Sequence, residues 1–304
     1  MTAAGLAAAR EIAKDIKLSH SVFALPFALL GAFLALPDGP VDWRALAVPA
    51  SLVVACMVTA RTAAMVANRL LDHEFDARNP RTAGRAIPAG RITVGQARAA
   101  LAGSSLAFVG CCALFWALCA NPWPLALSVP VLAWICSYGM FKRFTALCHV
   151  WLGASLAISP VAAALAVRPE AAMAAPPWML AGAVLLWVAG FDVLYAMQDT
   201  EVDVREGLHS MPSRMGVRGA AWASRAMHVG AIAMLVLFLR TEPAVDTPIF
   251  AAAVALAAAV IAMEHVLLAT GGAAGFAKHF TTLNGIVSLA IGAAGIVSIV
   301  RAHG

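Results

Sequence analysis

Charge is what this 304-residue sequence most lacks: Asp, Glu, Lys and Arg make up 12% of it, about half the share of an ordinary soluble domain. So few charges cannot build a normal water-facing surface, which excludes a soluble enzyme and a disordered chain alike. Paired cysteine spacing is missing too. Cys56, Cys111, Cys112, Cys119, Cys136 and Cys148 each lie in or beside an apolar run, which excludes a disulfide scaffold or cysteine metal site and leaves buried apolar thiols. No small-residue cleavage site follows promptly after Arg10, Glu11, Lys14, Asp15 and Lys17. A cleaved signal peptide is therefore not expected, and the segment reads as a short interfacial helix.

What is there is apolar: 62% of the residues are hydrophobic. A spanning helix needs about 20 such residues, and the apolar runs between polar breaks predict nine spans near 19–37, 45–70, 94–119, 122–140, 145–167, 177–198, 217–238, 247–270 and 280–301. The fold class is an all-α, polytopic membrane bundle of nine transmembrane helices, in one domain over 1–304. Counting basic residues in the connections sets the sides. Sixteen of the 21 Lys and Arg share the side of Arg10; Arg44, Arg168, Arg240 and Arg301 take the other; Arg61 lies inside the second span. The N-terminus is thus placed in the cytoplasm, and the net charge of +5 reads as positive-inside loops rather than a nucleic-acid surface. Trp43, Trp116, Trp123 and Trp178 fall near the opposite boundary, as an aromatic belt would.

Half of the 16 acidic residues sit in two short stretches, one after the second span and one closing the sixth. Four spans separate them, so both emerge on the cytoplasmic side. This suggests two four-helix halves, about 19–140 and 145–270, plus a ninth helix at 280–301. In the first stretch Asn68, Asp72 and Asp76 share one helix face with Arg61, and Glu74 points away. In the second, Asp192, Tyr195, Asp199 and Asp203 share a face by the same spacing. Carboxylates one turn apart on two helices offer the hard oxygens that Mg²⁺ takes, with substrate phosphates completing its shell. Asp192 and Arg61 lie within apolar runs, where ionisable groups are costly and functional by default. Nearby loops supply Arg78, Arg81, Arg85, Arg91, Lys142, Arg143, Arg205, His209 and Arg214, cations of the kind a departing diphosphate requires. His20, His149, His228, His265, His279 and His303 show no metal-ligand spacing and are expected to be structural or interfacial.

These residues resemble the UbiA superfamily of intramembrane prenyltransferases. The resemblance rests on the NxxxDxxxD motif of Asn68, Asp72 and Asp76, the NPRTAGRAIPAGRIT loop with Arg85 and Arg91, the FDVLYAMQD stretch holding Asp192 and Tyr195, and the DxxxD motif of Asp199 and Asp203. It implies a cytoplasmic-side cavity in an integral protein of the cytoplasmic (inner) membrane, where a polyprenyl diphosphate prenylates an aromatic acceptor. It implies Mg²⁺ on Asn68, Asp72, Asp76, Asp199 and Asp203, and diphosphate on Arg85, Lys142 and Arg143. Asp192 and Tyr195 become the catalytic candidates, Tyr195 facing an allyl cation and Asp192 accepting or relaying a proton. Arg61 is expected to bind the acceptor's carboxylate, since Arg favours bidentate carboxylate pairing. That points to a 4-hydroxybenzoate-type acid of ubiquinone synthesis. Two departures, Arg69 after the motif Asn and His209 where Lys is frequent, are similar to the menaquinone branch that prenylates 1,4-dihydroxy-6-naphthoate. A reading from another class is a secondary transporter with a repeated fold and acidic residues on its ion path.

Overall fold

The computed structural model describes residues 10–15 and 23–304, so Lys17, His20 and the start of the expected first span lie outside the described residues. Nine helices order the chain beyond residue 23: α1 Leu25–Leu34, α2 Trp43–Arg78, α3 Val94–Cys119, α4 Trp123–Phe141, α5 Cys148–Val167, α6 Ala175–Ala196, α7 Thr200–Arg205, α8 Met211–Thr241 and α9 Pro248–Ala302. No strand occurs among the described residues. Seven of these helices, α2 to α6 with α8 and α9, are long and apolar enough to cross a membrane. That differs from the nine expected, for two reasons. The described part of the first span is a ten-residue helix, and the eighth and ninth runs are the two arms of α9, which meet at a kink. Gly272 breaks α9 with φ 64° and ψ −170°, a conformation open to glycine and strained for any residue with a Cβ.

Each helix boundary has a local cause. The Asp42 side chain accepts from the Arg44 and Ala45 amides, each at 3.0 Å, and starts α2. Pro80 disfavours helical backbone at the residue before it, so α2 ends with Asn79 extended at φ −99° and ψ 115°. Thr93 and Gln96 form a reciprocal capping box at the start of α3. The 36 residues of α2 measure about 54 Å at 1.5 Å per residue, well beyond the roughly 30 Å hydrocarbon layer. The last turns of α2 therefore carry Asp72 and Asp76 past the apolar zone on unbroken helix.

The enclosed centre is α6, apolar except for Asp192 and Tyr195 near its end, with Leu180, Val184, Val188, Val193 and Leu194 at zero exposure. Its main neighbours are α5 and α8, and α1 packs on α5 and α9. Lipid is as apolar as these side chains, so close packing rather than escape from water holds such helices together. Gly153 shows how close: a Cβ there would stand 2.3 Å from the Leu185 carbonyl oxygen. The antiparallel run of helices gathers the ends of α2, α4 and α6 with the starts of α3, α5 and α8. Trp43, Trp116, Trp123 and Trp178 stand at the other end and are all exposed.

Candidate active site

A cavity of about 1080 Å³ opens at the gathered end and runs into the bundle. Its mouth is polar and its depth apolar, lined by Val53, Met57, Phe108, Phe115, Ile135 and Leu156 among others. Both acidic stretches face it: Asn68, Asp72, Asp76, Asp192, Tyr195, Asp199 and Asp203 all line the same space, as does Arg61. Glu74 is exposed outside it, as its helical position requires.

On the first stretch, Asn68 Nδ2 donates to Asp72 Oδ2 at 2.7 Å. The Arg85 guanidinium reaches both oxygens of Asp76, at 2.7 and 2.6 Å. On the second, a 3-10 turn over Met197–Asp199 interrupts the helix that the spacing predicted to be continuous. The tighter turn keeps Asp199 and Asp203 on the cavity. Asp203 is 1% exposed; its Oδ1 takes Lys142 Nζ at 2.7 Å, and its Oδ2 has no hydrogen-bond partner among the described residues. Burial works against the Lys142 ammonium, but Asp203 outweighs it and holds the lysine pKa above its ordinary value.

The two stretches are stitched together directly. Asn79 Nδ2 donates to Asp199 Oδ1 at 2.9 Å, and Arg81 Nε donates to the same oxygen at 2.8 Å while its Nη2 reaches Oδ2. Arg78 pairs with Glu206 at 2.9 Å. The His209 amide donates to the Lys142 carbonyl at 2.6 Å, tying the loop after α7 to the end of α4. The segment 10–15 closes one side: Asp15 accepts from Arg69 Nε at 3.0 Å and from the Ala86 amide at 3.1 Å, and Ile12 packs among Val66, Ala86 and Ile92.

Among the expected cations, Arg85 and Lys142 sit on aspartates at the mouth, whereas Arg143 donates to the Leu71 carbonyl at 2.5 Å and lies over Phe75. Arg91 pairs with Glu11 at 3.1 Å. Tyr195 lies under the Arg81 guanidinium, 5.5 Å from its ring centre, with Phe280 at 4.7 Å on the ring. Asp192 is joined by a residue that spacing did not single out: His149 Nδ1 is 2.7 Å from its Oδ2. Asn79 was likewise not singled out, and Arg81 stood only among the loop cations. The Asn-Pro pair is the one local signal for Asn79, since an extended residue at a helix end turns its side chain outward.

The donor set is all carboxylate and amide oxygen, with a buried, unpartnered Oδ2 on Asp203, which fits a hard divalent cation. No three metal-binding side chains converge among the described residues; Arg85, Arg81 and Lys142 lie on Asp76, Asp199 and Asp203.

Residues 24–286 match the UbiA prenyltransferase family. A 4-hydroxybenzoate octaprenyltransferase from Methylobacillus flagellatus is 32% identical over 241 residues, covering 79% of this chain and 76% of that one. With two other curated relatives the match spans 47% and 59% of their lengths. A UbiA homologue from Aeropyrum pernix K1 shares the fold at a TM-score of 0.80 and 33% identity, covering 92% of this chain and 98% of that one. A UbiA homologue from Archaeoglobus fulgidus, solved bound to GPP and Mg²⁺, has a TM-score of 0.68 at 17% identity, over 95% of this chain and 99% of that one.

Proposed function

The chain belongs to the UbiA prenyltransferase family, and from that premise we propose that it transfers a polyprenyl group from polyprenyl diphosphate to the ring of an aromatic acid. The observation that carries this reading is the single cavity with two acidic stretches at its polar mouth and an apolar depth. A diphosphate head and an isoprenoid tail demand those two halves together.

Asn68, Asp72, Asp76, Asp199 and Asp203 would hold Mg²⁺, which when bound neutralises diphosphate charge and eases its departure. Arg85, Lys142 and Arg81, now lying on aspartates, are long enough to turn to phosphate oxygens, with Arg143 behind them. The allylic C–O bond then breaks, and the ring carbon ortho to the acceptor hydroxyl bonds to the allyl carbon. Tyr195, with Phe280 against it, presents an aromatic face to the developing cation. Val53, Phe108, Phe115 and Leu156 keep water from it and house the tail. Arg61, two turns deeper on α2 than Asn68, binds the acceptor carboxylate.

The acid we favour is of the 4-hydroxybenzoate type. The reading for 1,4-dihydroxy-6-naphthoate rests on Arg69 and His209. Arg69 also donates to Asn68 Oδ1 at 2.9 Å, so this departure touches the metal-binding stretch directly. The site faces the cytoplasm, on the side of the basic loops. Purified protein in detergent with Mg²⁺, a polyprenyl diphosphate and each acid in parallel tests the proposal. A prenylated ring with diphosphate released supports it, and the faster acid names the acceptor. Uptake of either substrate into liposomes without covalent product would favour a transporter and sink it.

A further inference from the structure

His149 and Asp192 form a pair that diphosphate binding does not use. His149 stands on the first turn of α5, is 2% exposed and lines the cavity. Its Nδ1 lies 2.7 Å from Asp192 Oδ2, and its Nε2 lies 3.2 Å from the backbone nitrogen of Met211 at the start of α8. A backbone N–H can only donate, so Nε2 keeps its lone pair for Met211. The ring proton is therefore on Nδ1 and is given to Asp192. Both ring nitrogens are spent, and His149 has no free atom with which to take a proton from a substrate.

The polarity is the reverse of the Ser-His-Asp arrangement, in which a carboxylate orients a histidine that acts as base. Here the histidine orients the carboxylate. Asp192 keeps 27% side-chain exposure on the cavity, and its Oδ1 makes no hydrogen bond among the described residues. Gly153, one turn after His149 on α5, lets that helix press onto α6 and sets the reach between the two side chains.

We infer that His149 is a positioning residue that holds Asp192 with Oδ1 aimed at the acceptor hydroxyl, and that Asp192 takes the proton this hydroxyl loses. This rests on the transferase reading above. As the ring carbon bonds to the allyl carbon and the allylic C–O bond breaks, the hydroxyl proton passes to Asp192 Oδ1 and leaves a dienone. The dienone then loses its ring proton and regains one on oxygen, so one proton is released for each C–C bond formed.

Three variants test the inference: His149→Ala, His149→Asn, whose amide can stand where Nδ1–H stood, and Asp192→Asn. His149→Ala is expected to lower kcat about 10–100-fold, the range seen when a hydrogen-bond partner that orients a metal ligand is lost. KM for the acceptor rises and KM for the polyprenyl diphosphate stays, and His149→Asn recovers most of the loss. Wild-type kinetics in His149→Ala would overturn the inference. So would a His149→Asn enzyme as impaired as His149→Ala beside a mildly affected Asp192→Asn, because His149 would then be the base. Difference infrared spectra of wild type against Asp192→Asn carry the Asp192 carboxylate band whether or not turnover occurs. That band should shift in His149→Ala and return in His149→Asn; a band indifferent to both removes the pair itself. Absence of wild-type turnover with a responsive band would count against the transferase reading and not against the pairing.

Discussion

Lys142→Met takes from Asp203 the one ion-pair partner it has among the described residues. Asp203 stays where it was, 1% exposed, with Oδ2 already lacking a hydrogen bond and Oδ1 newly stripped of the ammonium at 2.7 Å. Breaking a buried pair from one side typically costs 3–5 kcal/mol, because a charge is left without compensation. The lysine side chain retains 30% exposure and solvent reaches it, so the lower end, about 3 kcal/mol, is expected. At the roughly 2 °C per kcal/mol of larger chains, that is a fall in Tm of about 6 °C in Mg²⁺-free detergent. Adding Asp203→Asn removes the stranded charge and should return most of the loss. Mg²⁺ should return part of it in the single variant, since a cation that binds only the folded chain stabilises by mass action. Thermal unfolding followed by tryptophan fluorescence reads all three chains. A single variant melting with the wild type, or a double variant melting below the single, would refute the coupling and with it the idea that Asp203 awaits a cation.

Much of this architecture could be read from the residues because lipid imposes a strict rule. Every backbone polar group must be satisfied inside its own segment, so long apolar runs become helices, and α2 to α6 fall where the runs do. The eighth and ninth runs reappear as the two arms of α9, on either side of the non-helical Gly272. Composition around Gly271 and Gly272 marks the break, and the backbone angles place it at Gly272. The acidic stretches were legible for a different reason. Helical spacing alone puts Asn68, Asp72 and Asp76 on one face, and the parity of spans brings the second stretch to the same end.

Cross-helix partners were not legible. Asn79 to Asp199 spans 120 residues, and Asp15 to Arg69 spans 54; no local pattern relates them. His149 resisted most. A histidine in an apolar helix reads as packing, and its significance depends on Asp192 lying on a different helix, 43 residues away. The closeness of α5 and α6 that unites them comes from a backbone-to-backbone approach at Gly153, which periodicity does not reveal.

Asp72→Asn and Asp199→Asn should each lower turnover at least about a hundredfold, the upper range for losing even a metal site's supporting groups, while the proteins elute and melt as folded; a mild effect from either would count against the metal site. EDTA should abolish prenyl transfer in the wild type and Mg²⁺ restore it, and turnover unchanged by chelation would remove the metal from the proposal. Arg61→Ala should raise the acceptor KM about 30-fold, the equivalent of the 2 kcal/mol at the low end for truncating a buried charge pair. The KM for polyprenyl diphosphate should hold, and equal loss of both would dissolve the argument for an acid acceptor. Gly153→Ala tests the geometry of the bundle rather than its chemistry. The added Cβ would sit 2.3 Å from the Leu185 carbonyl oxygen and 3.2 Å from the Ala189 nitrogen, and backbone atoms cannot turn aside as a side chain does. Helix α5 must retreat by about 1 Å, and a shift of that size can cost about a hundredfold when it misplaces a reacting group. The loss should fall on acceptor prenylation, because His149 moves off Asp192, while Lys142 and Arg85, at the end of α4 and in the loop after α2, still bind the diphosphate. Gly110→Ala, where a Cβ meets nothing within 4 Å, is the matched control and should behave as wild type. Full activity in a folded Gly153→Ala protein would mean that the α5–α6 contact does not set the reach of His149, and that the pairing survives without it.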